Sequence, residues 1–120
     1  MEHSELGGLF AGLRATVTIA DEKGRIVFLN DLALEHYGDR GGEQLIGTSL
    51  YDCHNAESRD KIKDMYARYR AGDLTPTRYY EEKGDDLAES IVIIPLIVSG
   101  QFRGVAELLW IERPELVFVL

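Results

Sequence analysis

Polar and apolar residues alternate strictly along Thr16-Val17-Thr18-Ile19, the period of a half-buried strand, so residues 15–20 are predicted to form one. Asp21-Glu22-Lys23-Gly24 follows as a turn, with Gly24 free to take a positive φ and Asp21 able to hydrogen-bond the turn backbone. Residues 25–29 return as a second strand and complete a β-hairpin. Asn30 ends that strand and is placed to cap a helix over residues 31–36 through its side-chain oxygen, with Leu32, Leu34 and Tyr37 as the apolar positions. Residues 38–47 are rich in glycine and charge and read as a loop holding one helical turn at residues 43–46.

The clearest helical period lies over residues 56–71. Ile62, Met65, Tyr66 and Tyr69 fall at i, i+3, i+4 and i+7, one apolar stripe on an otherwise charged helix. Asn55 or Ser58 serves as its N-cap, and Gly72 is placed for the left-handed residue that ends it. Beyond Pro76 the pattern changes to strands at residues 77–82, 88–98 and 101–111, joined by turns at Lys83-Gly84-Asp85-Asp86 and Ser99-Gly100. Apolar residues fill both parities of residues 91–98, which predicts a central strand covered on both faces. Two strands, a helical middle and a three-stranded meander define an α+β fold: a five-stranded antiparallel sheet with helices packed on one face. Residues 1–13 are expected to be a lead-in with a short helix at residues 6–13, residues 14–112 the domain, and residues 113–120 an apolar tail.

Composition narrows the function. The chain has 120 residues and a hydrophobic fraction of 45%, enough for one core and too short for two. A net charge of −8 argues against a nucleic-acid partner, which requires clustered Lys and Arg to displace counterions from phosphates. The single cysteine, Cys53, allows no internal disulfide and fits a reducing cytoplasm. The first residues show no basic segment leading into an apolar one, so no signal peptide is expected. The longest apolar run, residues 91–98, is interrupted by Pro95 and too short to span a bilayer.

Three segments in order carry a family resemblance. Asp21-Glu-Lys-Gly24-Arg25-Ile26-Val-Phe-Leu-Asn30 resembles the D-x-x-G-x-I-x-x-x-N signature of the PAS domain at its first hairpin. Leu45-Ile46-Gly47-Thr48-Ser49-Leu50 is similar to the L-I-G-x-S segment before the long PAS helix, and Gly104-Val105-Ala106-Glu107 to the glycine-containing last strand. The resemblance spans residues 10–112. It implies a sensory module whose ligand cavity lies between the long helix and the sheet; a homodimer is expected because both faces of residues 91–98 read apolar and the outer one needs a cover. One departure is Trp110-Ile-Glu-Arg-Pro114, where PAS domains carry a D-I-T-like tripeptide leading into a signalling helix; Pro114 blocks a helix through that point.

Candidate chemistry is sparse. G-x-S-x-G, P-loop, G-x-G-x-x-G, H-E-x-x-H and C-x-x-C motifs are all missing, so the sequence reads as a binding domain rather than an enzyme. Tyr51-Asp52-Cys53-His54-Asn55 is the one cluster of reactive types, and the resemblance places it beside the cavity wall. His54 then either hydrogen-bonds a polar metabolite or ligates haem iron, while its plain structural role is capping or packing, with Cys53 a small buried hydrophobe. His36 competes with it from the end of the short helix. Met65, Tyr66 and Tyr69 face the same cavity or the core beside it, and Tyr66 is able to add a hydroxyl to an apolar pocket. Covalent flavin chemistry is not expected, because Cys53 sits in Asp-Cys-His-Asn and not in the Asn-Cys-Arg-Phe-Leu-Gln-like segment that it uses. The rival expectation is a ligand-free homodimerisation module using the outer sheet face near Leu108 and Trp110.

Overall fold

The structure is a computed structural model that describes residues 2–52 and 54–120. Helix α1 (His3–Ala11) precedes the hairpin of β1 (Thr16–Asp21) and β2 (Ile26–Leu29). Helix α2 (Asp31–His36), two short 3-10 turns at Gly38–Arg40 and Gly42–Leu45, and the long helix α3 (Ala56–Arg70) form the middle. The meander of β3 (Thr77–Gly84), β4 (Leu87–Val98) and β5 (Gln101–Glu112) completes one antiparallel sheet of order β2-β1-β5-β4-β3. The α+β expectation holds, and the centre of the sheet is β5 rather than β4.

Each local turn follows from side chains visible in the sequence. Asp21 Oδ1 accepts from the Lys23 and Arg25 amides at 2.9 Å each, while Gly24 turns at φ +82°. Tyr51 lies so close to Gly24 that a β-carbon there would fall 2.8 Å from its ring. Asp85 and Asp86 at φ 52° and 56° close the β3–β4 hairpin, and Ser99 and Gly100 at φ 52° and 77° close the next. Positive φ at both central residues matches the right-handed twist of the strands they join.

Asn30 is the joint of the first half. Its Oδ1 accepts from Ala33 N at 2.9 Å, the helix cap, and from Val17 N at 3.0 Å, while Nδ2 donates to Ala15 O at 2.9 Å. One buried side chain therefore ties the start of β1 to the start of α2. Asn55 caps α3 in the same way through Ser58 N at 2.9 Å, and Gly72 at φ +97° ends it.

The segment after the short turns zips onto β2: Ile26 N donates to Thr48 O, Gly47 N to Ile26 O and Leu50 N to Gly24 O, at 2.7–2.8 Å. Leu50 then packs against two adjoining clusters. One is Ala20, Met65, Tyr66, Tyr69, Ile93 and Val105; the other is Ile26, Leu29 and Ala33. Tyr66 stands edge-on to Phe102, with ring centroids 5.6 Å apart, a favourable aromatic geometry.

The apolar run in β4 is covered only in part: Ile93 is buried, but Ile94, Ile97 and Val98 are exposed. The reason is topological, since β3 pairs with β4 only up to Thr77↔Ile93. Pro95 lies past that last pair, on a stretch with no strand on its outer side, where a missing N–H is tolerated. Helix α1 buries none of its residues.

Candidate functional site

A cavity of about 780 Å³ lies between α3, α2 and the inner face of the sheet. Its walls are mostly aliphatic: Ile26, Leu29, Leu50, Ile62, Met65, Ile91, Ile93, Val105 and Leu109. Strand alternation places these on one face, because Val105, Glu107 and Leu109 share a parity on β5 and pair beside Ile91 and Ile93 on β4. Arg40, Lys61, Lys83, Glu89, Ser58, His36 and His54 contribute polar groups to the lining, and Tyr79, not Tyr80, points inward from β3.

Glu107 interrupts the aliphatic floor. It is half-buried by surface area yet sits deep within packed protein, and it lines the cavity. Tyr37 donates to its Oε1 at 3.3 Å, and none of the ion pairs among the described residues includes it. Burial holds its carboxyl above the usual range; the Tyr37 hydrogen bond and the two histidines oppose that shift, and Glu89 reinforces it. Burial likewise raises the Tyr37 hydroxyl, and Glu107 adds to the effect. Thr18, the cross-strand neighbour of Glu107, also lines the cavity, and its buried hydroxyl has no hydrogen-bond partner among the described residues.

The expected site residues separate. His54 and Met65 line the cavity. The His54 side chain is exposed overall, with Nδ1 held 2.6 Å from Leu50 O. Tyr66 and Tyr69 lie in the core instead of on the cavity wall. The Tyr66 hydroxyl donates to Asp21 O at 2.8 Å, and the Tyr69 hydroxyl meets Ile93 O at 3.2 Å and Thr77 Oγ1 at 2.9 Å. Partners within the fold engage both hydroxyls, and neither residue lines the cavity. Cys53 lies outside the described residues. His36 lines the cavity although its surface is largely exposed. Glu107, Tyr37 and Thr18 were not anticipated as site residues. The signal was present in Glu107, a lone charge at the inward parity of a strand otherwise reading Val105 and Leu109.

Haem makes two demands of such a cavity. His54 meets one: a proton on Nδ1, directed at Leu50 O, leaves Nε2 free as a ligand. The floor does not meet the other. A flat apolar macrocycle laid on this sheet would cover the Glu107 carboxyl without giving it a donor, an expensive way to bury a polar group.

No protein-family model matches the sequence, and no curated protein matches it. Solved structures do match, and the fold is that of the PAS domain. A C-terminal domain from Streptococcus mutans superposes with a TM-score of 0.74 at 15% identity, covering 92% of this chain and 84% of that one. The PAS domain of BvgS from Bordetella pertussis gives 0.65 at 18% identity over 94% of this chain and 89% of that one. The Aer2 receptor from Vibrio cholerae, described as a dual PAS-haem oxygen sensor, gives 0.60 at 18% identity over 84% and 96%.

Proposed function

We propose that this chain is a sensory signalling domain that binds a small organic molecule in the cavity between α3 and the sheet. The observation that carries this reading is the cavity itself: about 780 Å³, lined by aliphatic side chains together with charged, imidazole and hydroxyl groups. That size and lining are those of small-molecule sites. Sensor kinases and receptors among the similar structures support the sensory role. An occupant shifts a signalling equilibrium only through different affinities for two states, and α3, one wall of the cavity, is the element it would displace. The single cysteine fits a cytoplasmic setting.

The test is a native mass spectrum of the purified protein beside its denatured mass, with an absorption spectrum. Additional mass that departs on denaturation is expected, without a Soret band, and His54→Ala should retain less of it while keeping the wild-type circular dichroism. A Soret band would replace the organic ligand with haem, and unchanged retention would remove His54 from the site.

A ligand-free homodimer module is the second reading. It is favoured by the apolar side chains of α1, since Leu6, Leu9 and Phe10 are 56%, 62% and 48% exposed and no residue of the helix is buried. A monomer by sedimentation velocity at low micromolar concentration would dispose of it.

A further inference from the structure

The lining of the cavity floor bears on the chemistry of an occupant. Two acids line the cavity, Glu89 on β4 and Glu107 on β5; Glu89 has Lys83 beside it, whereas Glu107 is flanked at its own parity by Val105 and Leu109 and paired across to Ile93 of β4. Its neighbours leave it underserved. An ionised carboxylate has room for about four hydrogen bonds, and among the described residues Glu107 receives a single long one, from Tyr37 at 3.3 Å. The lysines of the lining do not reach it; Lys83 pairs instead with Glu81 and Glu89, at 3.2 and 3.9 Å. The buried Thr18 hydroxyl beside it has no hydrogen-bond partner among the described residues. A half-buried carboxylate left this way loses its access to water when an apolar body fills the cavity, and that costs free energy unless the occupant brings a donor.

We infer that the cavity selects a small, largely apolar molecule presenting an N–H donor inward to Glu107, with its hydrocarbon body against Ile62, Met65 and Leu109. This rests on the ligand-binding reading above and adds the polarity and orientation of the occupant. The donor is either a neutral N–H heterocycle or a protonated amine; both supply the hydrogen bond, and only the amine adds charge. A molecule of the same shape without the N–H leaves Glu107 covered and unpaired, so discrimination is by penalty as much as by attraction.

Matched probes test it by calorimetry on the full chain. Indole and benzimidazole are set against their N-methyl counterparts, and benzylamine against benzyltrimethylammonium, a cation without N–H. In each pair that binds, the N–H compound should bind at least about tenfold more tightly, the scale of one buried hydrogen bond. Glu107→Gln keeps an acceptor oxygen and should preserve the preference for the neutral heterocycles while losing the affinity for benzylamine. Glu107→Leu should erase the preference in every pair, its fold verified by circular dichroism. Equal binding within every pair overturns the inference and leaves the cavity a ligand site; so does a preference that survives unchanged in Glu107→Leu. If none of the probes binds below about 1 mM, the inference falls, while the ligand-binding reading stands or falls with the native mass spectrum.

Discussion

Replacing Asn30 by Ala removes one side chain and three hydrogen bonds at once. The Ala33 amide loses its cap, an effect typically worth about 1 kcal/mol, at a bond now 2.9 Å long. Val17 N and Ala15 O lose partners at 3.0 and 2.9 Å. Val17 is buried, so its amide has no easy recourse to water; an orphaned buried donor costs about 1–3 kcal/mol. The expected sum is about 3 kcal/mol, a large share of the roughly 5–15 kcal/mol that holds a domain folded. With about 2.1 cal/mol/K of unfolding entropy per residue, that corresponds to a Tm lower by roughly 12 °C. Urea denaturation followed by circular dichroism measures it, with an unchanged m-value showing that stability and not compactness has moved. Asn30→Asp, which keeps the acceptor and loses the donation to Ala15, should recover roughly half the loss. A midpoint for Asn30→Ala within about 1 kcal/mol of wild type would refute the claim that this residue joins β1 to α2.

Gly104→Ala should be severely destabilising, by more than about 3 kcal/mol, because the new β-carbon would lie 2.1 Å from Ala20 O and 2.9 Å from Asp21 Cα, with φ at +145°; a soluble variant with a wild-type urea midpoint would show that the β1–β5 contact is looser than it looks. Glu107 sets a pH dependence. Its folded-state pKa lies above the ordinary carboxylate range, so between the two the native state holds more protons than the unfolded one, and stability falls as pH rises through that window. Glu107→Gln should be flat there and more stable than wild type at neutral pH; parallel curves of urea midpoint against pH for the two proteins would contradict this.

Local instructions were legible because each acts over a few residues. Asp21 and Gly24 built their turn, Asn30 and Asn55 capped their helices, and the stripe from Ile62 to Tyr69 faces the core as its spacing predicts. What sequence spacing does not encode is which atoms meet across the fold. The Tyr66 hydroxyl looks available to a cavity until the end of β1 comes within 2.8 Å and takes it. Tyr37 reads as an apolar helix position, and becomes a polar one only because Glu107, seventy positions later, lies opposite it. The covering predicted for residues 91–98 failed for a similar reason: it depends on where β3 stops, which is a property of the pairing and not of the run itself.

That stopping point has a consequence for how molecules of this protein meet. Past Ile93, β4 continues through Ile94, Leu96, Ile97 and Val98 with one side unpaired, an apolar ribbon able to template the addition of a foreign strand. Pro95 sits in the middle of it and withholds one donor from the row that an incoming chain would have to read. The residue that interrupts the most hydrophobic stretch of the sequence thus acts as a gatekeeper, letting two long strands form within the molecule while discouraging the same edge from recruiting a neighbour.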